Sequence, residues 1–227
     1  MMFRNELLKQ IPLFNSLMDA SLNTLAASLR LQTVRQGQVI FHKGDEGTAL
    51  YIIKSGAVKI VLSSRLGAEI IASIHSEGDF FGEMALLDGE PRYADAIAVK
   101  PSEMLVLRQN DFFSFIQSDI NAARSILYSL TRRLRKTHDL LRDICWLTIS
   151  QRLAKLILEL GNIYGLKEEK GIFIDLALTQ KELGDMVGAT RESINKELKA
   201  LRTKGIIEMA SNRIKICDPF RLRHQTL

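Results

Sequence analysis

Leu178-Thr-Gln-Lys-Glu-Leu-Gly-Asp-Met-Val-Gly-Ala-Thr-Arg-Glu-Ser-Ile-Asn-Lys-Glu-Leu-Lys-Ala-Leu201 predicts two short helices joined by a tight turn. Thr179 followed three residues later by Glu182 is capping-box spacing. Leu183, Met186 and Val187 give the first helix one apolar face, and Gly188 ends it, because glycine enters the left-handed conformation without steric cost. Thr190 can cap the second helix, with Ser193 in its first turn. Ile194, Leu198 and Leu201 then recur at helical spacing and face inward. Arg191, Glu192, Asn195 and Lys196 are left pointing outward. A helix-turn-helix placed in a major groove needs such residues there. Arginine donates two hydrogen bonds to guanine, and glutamate accepts from cytosine N4. The alternative is a helical pair in an ordinary core, with Arg191 and Glu192 as a solvated surface pair.

Charge along the chain agrees with nucleic-acid binding. Residues 1–118 hold 11 Lys+Arg against 13 Asp+Glu, residues 119–147 hold 6 against 3, and residues 148–227 hold 14 against 10. The positive end therefore coincides with the helix pair, as phosphate attraction requires. No apolar run approaches bilayer length, and Met1–Lys9 lacks the apolar core of a signal peptide, so a cytoplasmic location is expected. Cys145 and Cys217 belong to no ligand cluster, so no metal site is expected. No spacing sets a nucleophile beside a base, and no glycine-rich nucleotide loop follows a strand, so an enzyme is not expected.

Upstream, the pattern changes twice. Residues 5–30 read as helical through Leu7, Leu8, Ile11, Leu17, Leu22, Leu25 and Leu29, broken by Pro12. From Leu31 to Leu107, short apolar runs at 39–41, 50–53, 58–62, 70–71, 96–99 and 105–107 alternate with glycine turns, which indicates a β-sandwich or barrel. Ile120, Ala123, Leu127, Leu130, Leu134, Thr137, Leu141 and Ile144 then recur at spacings of 3 and 4. That heptad seam predicts one long helix over 119–147 and favours a parallel homodimer. Packing against its own β domain is the alternative, with Ile126, Leu140 and Leu147 lying off the seam. A helix from about Ser150 to Tyr164, a charged loop at 167–170, a strand at 172–174, a hairpin at 205–217 and a short helix capped by Asp218 complete a winged helix. The domains expected are thus a β-roll at 1–118, a dimerisation helix at 119–147 and a winged-helix domain at 148–227, an α+β fold, with a hinge near Leu147–Ile149.

This order resembles the cyclic-AMP receptor protein superfamily (Crp-Fnr) of bacterial transcription regulators, over nearly the whole chain. Its specific pieces are Gly82-Glu83-Met84-Ala85-Leu86-Leu87 with Pro91-Arg92, similar to the family's phosphate-binding cassette, and 187–196, similar to its recognition helix. The resemblance implies a sensor roll whose effector would be cyclic AMP, cyclic GMP or another small molecule. Gly82, Glu83, Met84 and Arg92 would hold phosphate and ribose, and Thr137 would meet a purine. Two positions depart from the pattern: Tyr93 where a short hydroxyl is usual, and His138 where the cyclic-AMP receptor has serine. An effector-independent regulator therefore stays open, as does a protein-interaction dimer that does not bind DNA. Cysteine-based oxygen sensing lacks its N-terminal cluster, and His42, His75 and His224 read as surface residues. The resemblance further implies double-stranded DNA as partner, at palindromes with TGTGA-like half-sites, together with RNA polymerase. Arg191 and Lys196 would donate to guanine and Glu192 would accept from cytosine. Thr179, Gln180, Lys181 and Thr190, at helix starts, suit phosphate contacts.

Overall fold

The computed structural model describes Leu8, Lys9, Ile11, Phe14 and residues 19–226. Leu7, Pro12 and Leu17 of the expected N-terminal helix lie outside the described residues; within them the helix runs from Asp19 to Ser28 (α1). The chain divides into two compact units, one containing the described residues through Ala68 with Ala72–Lys136, the other Glu69–Ile71 and Thr137 onward.

The first unit is a β-roll of two four-stranded sheets. One has the order β1 (Arg30–Val34), β8 (Ser102–Arg108), β3 (Ala49–Ser55), β6 (Phe80–Phe81). The other has the order β2 (Val39–Phe41), β7 (Asp95–Ala98), β4 (Ala57–Ser63), β5 (Glu69–Ser76). Described neighbours pair antiparallel, with Ile52 opposite Leu105 and Ile60 opposite Ala96. Each apolar run in the sequence falls on a strand. Between β6 and β7 the chain makes one short helix, α2 (Met84–Asp88). Helix α3 (Gln109–Ser118), which no sequence pattern announced, follows β8.

Helix α4 (Ile120–Trp146) occupies the expected span. Ala122 and Ile126 are buried in the roll core beside Phe14, Phe112 and Leu107, so one face of its first half belongs to that domain. Leu130, expected on the seam, is partly buried against the same core. Ile120, Leu127, Leu134, Leu141 and Ile144 are exposed along the seam.

The second unit is a winged helix. Thr148 caps α5 (Ile149–Tyr164) with a complete capping box built with Gln151. The helix break thus falls where a hinge is expected, and two contacts tie its sides together. The buried Asp143 carboxylate pairs with the Lys155 ammonium, and Arg152 Nη1 donates to the Ile144 carbonyl at 3.5 Å. The residues expected as a charged loop begin instead inside β9 (Gly165–Glu168), which pairs with β10 (Gly171–Ile174). Lys167, Glu168, Glu169 and Lys170 are exposed, and backbone pairing with β10 together with a 2.7 Å ion pair from Glu168 to Lys215 holds this polar strand at the sheet edge. Helices α6 (Gln180–Val187) and α7 (Arg191–Thr203) precede the wing, β11 (Ile207–Ala210) and β12 (Arg213–Ile216). The wing turns through Ser211 and Asn212, both at positive φ, the geometry that two-residue hairpin loops require. Helix α8 (Pro219–His224) starts as expected, its Asp218 side chain accepting from Arg221 N.

Candidate functional site

Two sites take shape. In the winged helix, Thr179 caps α6 with both halves of the capping box, and Gly188 ends it at φ 66°. Thr190 caps α7 by accepting from Ser193 N. Ile194, Leu198 and Leu201 are buried, so the opposite stripe of α7 must face solvent. Arg191, Glu192, Asn195 and Lys196 are all exposed there. Arg191 and Asn195 are one turn apart, as are Glu192 and Lys196, so the four make a two-by-two array on the first two turns. The residues expected at phosphates are more committed. Thr179 Oγ1 donates to Glu182 Oε2 at 2.9 Å, Thr190 Oγ1 lies 3.1 Å from Ser193 Oγ, and Lys181 Nζ pairs with Asp185 at 2.9 Å. Gln180 Nε2 donates to Asn195 Oδ1 at 3.4 Å.

In the roll, Gly82, Glu83, Met84, Arg92 and Tyr93 come together around one cavity, as the cassette implied. Gly82 has φ +84°, which favours glycine, and a Cβ there would press on Arg92 Nη1 at 2.8 Å. Arg92 is buried and donates to Gly82 O at 2.5 Å and Ala49 O at 2.7 Å, with its guanidinium 4.3 Å from the Phe41 ring centre. Its buried Nε has no hydrogen-bond partner. Burial lowers the Arg92 pKa, opposed by Tyr51, Glu83 and Asp45. The Tyr93 phenol is half-exposed, and its pKa is raised by burial and by Glu83, so it stays neutral.

The residue that sequence reasoning missed is Arg133. It reaches from α4 to Glu83 Oε1 at 2.6 Å, donates to the Phe80 carbonyl and sits 4.6 Å over the Phe80 ring. Glu83 is buried and stands at the start of α2, yet its side chain caps nothing there; it faces Arg133. Arg133 lies one helical turn before Thr137, the spacing that could have placed it toward the same site. Thr137 and His138 are exposed and are not among the lining residues. The cavity, lined by both Arg92 and Arg133, holds only about 30 Å³. That is space for water, whereas pockets for drug-sized ligands are about tenfold larger.

His75 corrects an expectation. It is buried rather than on the surface, lines the cavity, stacks on Phe81 and lies with Nε2 3.1 Å from Ser73 Oγ. Strand β5 is longer than its two-residue apolar signal, and its far end turns His75 inward. Burial, with the positive charges of Arg133 and Lys136, pushes its pKa from 6.5 down to about 3. The unfolded chain takes up this proton near pH 6.5 and the native chain only near 3. The native state therefore loses stability as pH falls between those values. Relative to His75→Leu, wild type should lose up to about 1.4 kcal/mol per pH unit below 6.5. Denaturant unfolding at pH 7.0 and 5.5 measures this, and parallel curves for the two proteins would refute it.

The cyclic nucleotide-binding domain profile matches residues 31–119, and the Crp-like helix-turn-helix domain profile matches residues 151–225. The chain is 30% identical over 218 residues to the "CRP-like cAMP-activated global transcriptional regulator" of Mycobacterium tuberculosis, covering 96% of this chain and 97% of that one. The chain belongs to the Crp-Fnr superfamily. This Crp-Fnr protein is also 29% identical to the "Cyclic AMP receptor protein" of Thermus thermophilus over 209 residues, 92% of this chain and 94% of that one. Its fold matches FixK2 from Bradyrhizobium japonicum with a TM-score of 0.78 at 21% identity, over 88% of this chain and 98% of that chain. Like the Crp-Fnr proteins it matches, it is a DNA-binding transcription regulator and not an enzyme. Among the described residues no helix is long and apolar enough to cross a membrane.

Proposed function

We propose that this Crp-Fnr regulator acts in the cytoplasm as a homodimer that reads a palindrome with TGTGA-like half-sites and engages RNA polymerase. Two copies meet along α4, where the exposed Leu127, Leu134, Leu141 and Ile144 await a partner helix. The observation that carries the DNA reading is the exposed array on α7, fixed by the Thr190 cap and by three buried residues behind it. Arg191 and Lys196 donate to guanine edges, and Glu192 accepts from cytosine. The starts of α6 and α7, around Thr179, Lys181 and Thr190, lie against phosphates through backbone N–H groups.

Arg191→Ala tests this. Binding to a selected site should weaken by about 1–3 kcal/mol per half-site, with far less change on random duplex. Equal loss on both would reduce Arg191 to a phosphate contact.

The effector site is the roll cavity, and its ligand is a purine cyclic nucleotide, cyclic AMP or cyclic GMP. A second reading, regulation without an effector, draws support from the small volume of that cavity, which Tyr93 lines and where Arg133 already occupies Glu83. Calorimetric titration with both nucleotides tests the first reading: heat with a finite Kd supports it, and no binding of either nucleotide overturns it.

A further inference from the structure

The amide pair between the two helices of the DNA-binding motif carries one more step, which rests on the DNA reading above. Gln180 is the first residue of α6 and Asn195 lies in the second turn of α7. Gln180 Nε2 donates to Asn195 Oδ1 across the gap between them. This bond, 3.4 Å long between exposed side chains, favours the orientation in which Oδ1 of Asn195 faces α6. One lone pair of Oδ1 is used, and the other lone pair and both Nδ2 hydrogens remain. Asn195 stands directly behind Arg191 on the exposed stripe, where side chains one turn apart meet neighbouring base pairs. An amide oriented in this way offers an acceptor and a donor side by side. Adenine presents the complement in the major groove, an N6–H donor beside the N7 acceptor.

We propose that Asn195 is a fourth base-reading residue, specific for an adenine next to the base read by Arg191. Gln180 is its positioning residue. The pairing makes physical sense of a polar residue with one hydrogen bond in an exposed place. A lone asparagine would rotate freely and lose side-chain entropy on binding, while one held from α6 is already oriented.

The test selects binding sites from a randomised duplex pool with wild type, Asn195→Ala, Asn195→Asp and Gln180→Ala, followed by affinity measurements on single-base variants of the selected site. Asn195→Ala and Asn195→Asp should each reduce discrimination for one A·T pair by about tenfold or more, leaving the Arg191 guanine preference in place. The aspartate keeps an acceptor for Gln180 but cannot donate to N7, so a loss with both variants traces the preference to the donor. Gln180→Ala should weaken discrimination at that same pair and no other. Unchanged site preference in both Asn195 variants overturns the proposal, and so does an equal loss on every duplex, which marks a phosphate contact. A wild type that selects no sequence at all removes base reading as a whole. A sharp, Arg191-dependent profile indifferent to Asn195 removes only this inference. Asn195 is exposed, and unaltered melting of the variants checks that the fold is intact.

Discussion

Leu134→Glu is expected to leave the protein monomeric, at 25.6 kDa in sedimentation velocity. Leu134 is 56% exposed in the single chain and sits midway along the seam, with Leu127 and Leu141 two turns to either side. In a parallel pair it would face its own symmetry mate. Two carboxylates there would be buried against each other without partners, a cost of several kcal/mol. A monomer offers one recognition helix to a site built for two. Specific sites exceed random DNA by about 4–10 kcal/mol, so losing one half-site removes roughly 2–5 kcal/mol of affinity for a palindrome. Arg132→Glu is the control. It is exposed and lies on the opposite side of the heptad, so it should remain dimeric. An intact Leu134→Glu dimer would sink the seam assignment.

Arg133→Ala should destabilise the roll by about 3–5 kcal/mol, because it leaves the Glu83 carboxylate buried without its counter-charge. The Arg133 side chain is 27% exposed and Arg92 is nearby, so the lower half of that range is the better expectation. For a domain of this size that is several degrees in Tm. Arg133→Lys keeps the charge and loses the forked contact with the Phe80 carbonyl, so it should fall between the alanine variant and wild type. Calorimetry on the three proteins measures the order. Alanine melting with wild type would mean that water already serves Glu83.

Features encoded within a few residues are legible in the sequence. The cap at Thr179, the left-handed Gly188, the cap at Thr190 and the buried stripe of α7 all depend on residues within four positions of each other. The strands with a buried face, such as β3 and β4, announced themselves by apolar runs. Strand β1 did not, because Arg30, Leu31 and Thr33 are exposed and its sides lack contrast. Strand β9 did not either, since its charged residues lie at an open edge where pairing needs no apolar side chain. The sites divide in the same way. Gly82 through Tyr93 is one short stretch and was legible as a unit. The Arg133–Glu83 pair spans fifty residues, and His75 faces a cavity that it shares with Phe41 and Arg133, both distant in sequence. No local pattern encodes such meetings.

The guanidinium lining the roll cavity would also set a timescale for a ligand that must displace it. If a cyclic nucleotide enters the cavity by displacing Arg133 from Glu83, only the vacated fraction of molecules is competent to receive it. Affinity is then weakened by that fraction. At high concentration the observed association rate should stop rising and level off at the rate of departure. The roll would respond to its ligand no faster than its own ion pair opens, so a sudden rise in ligand is registered at a pace written into the protein.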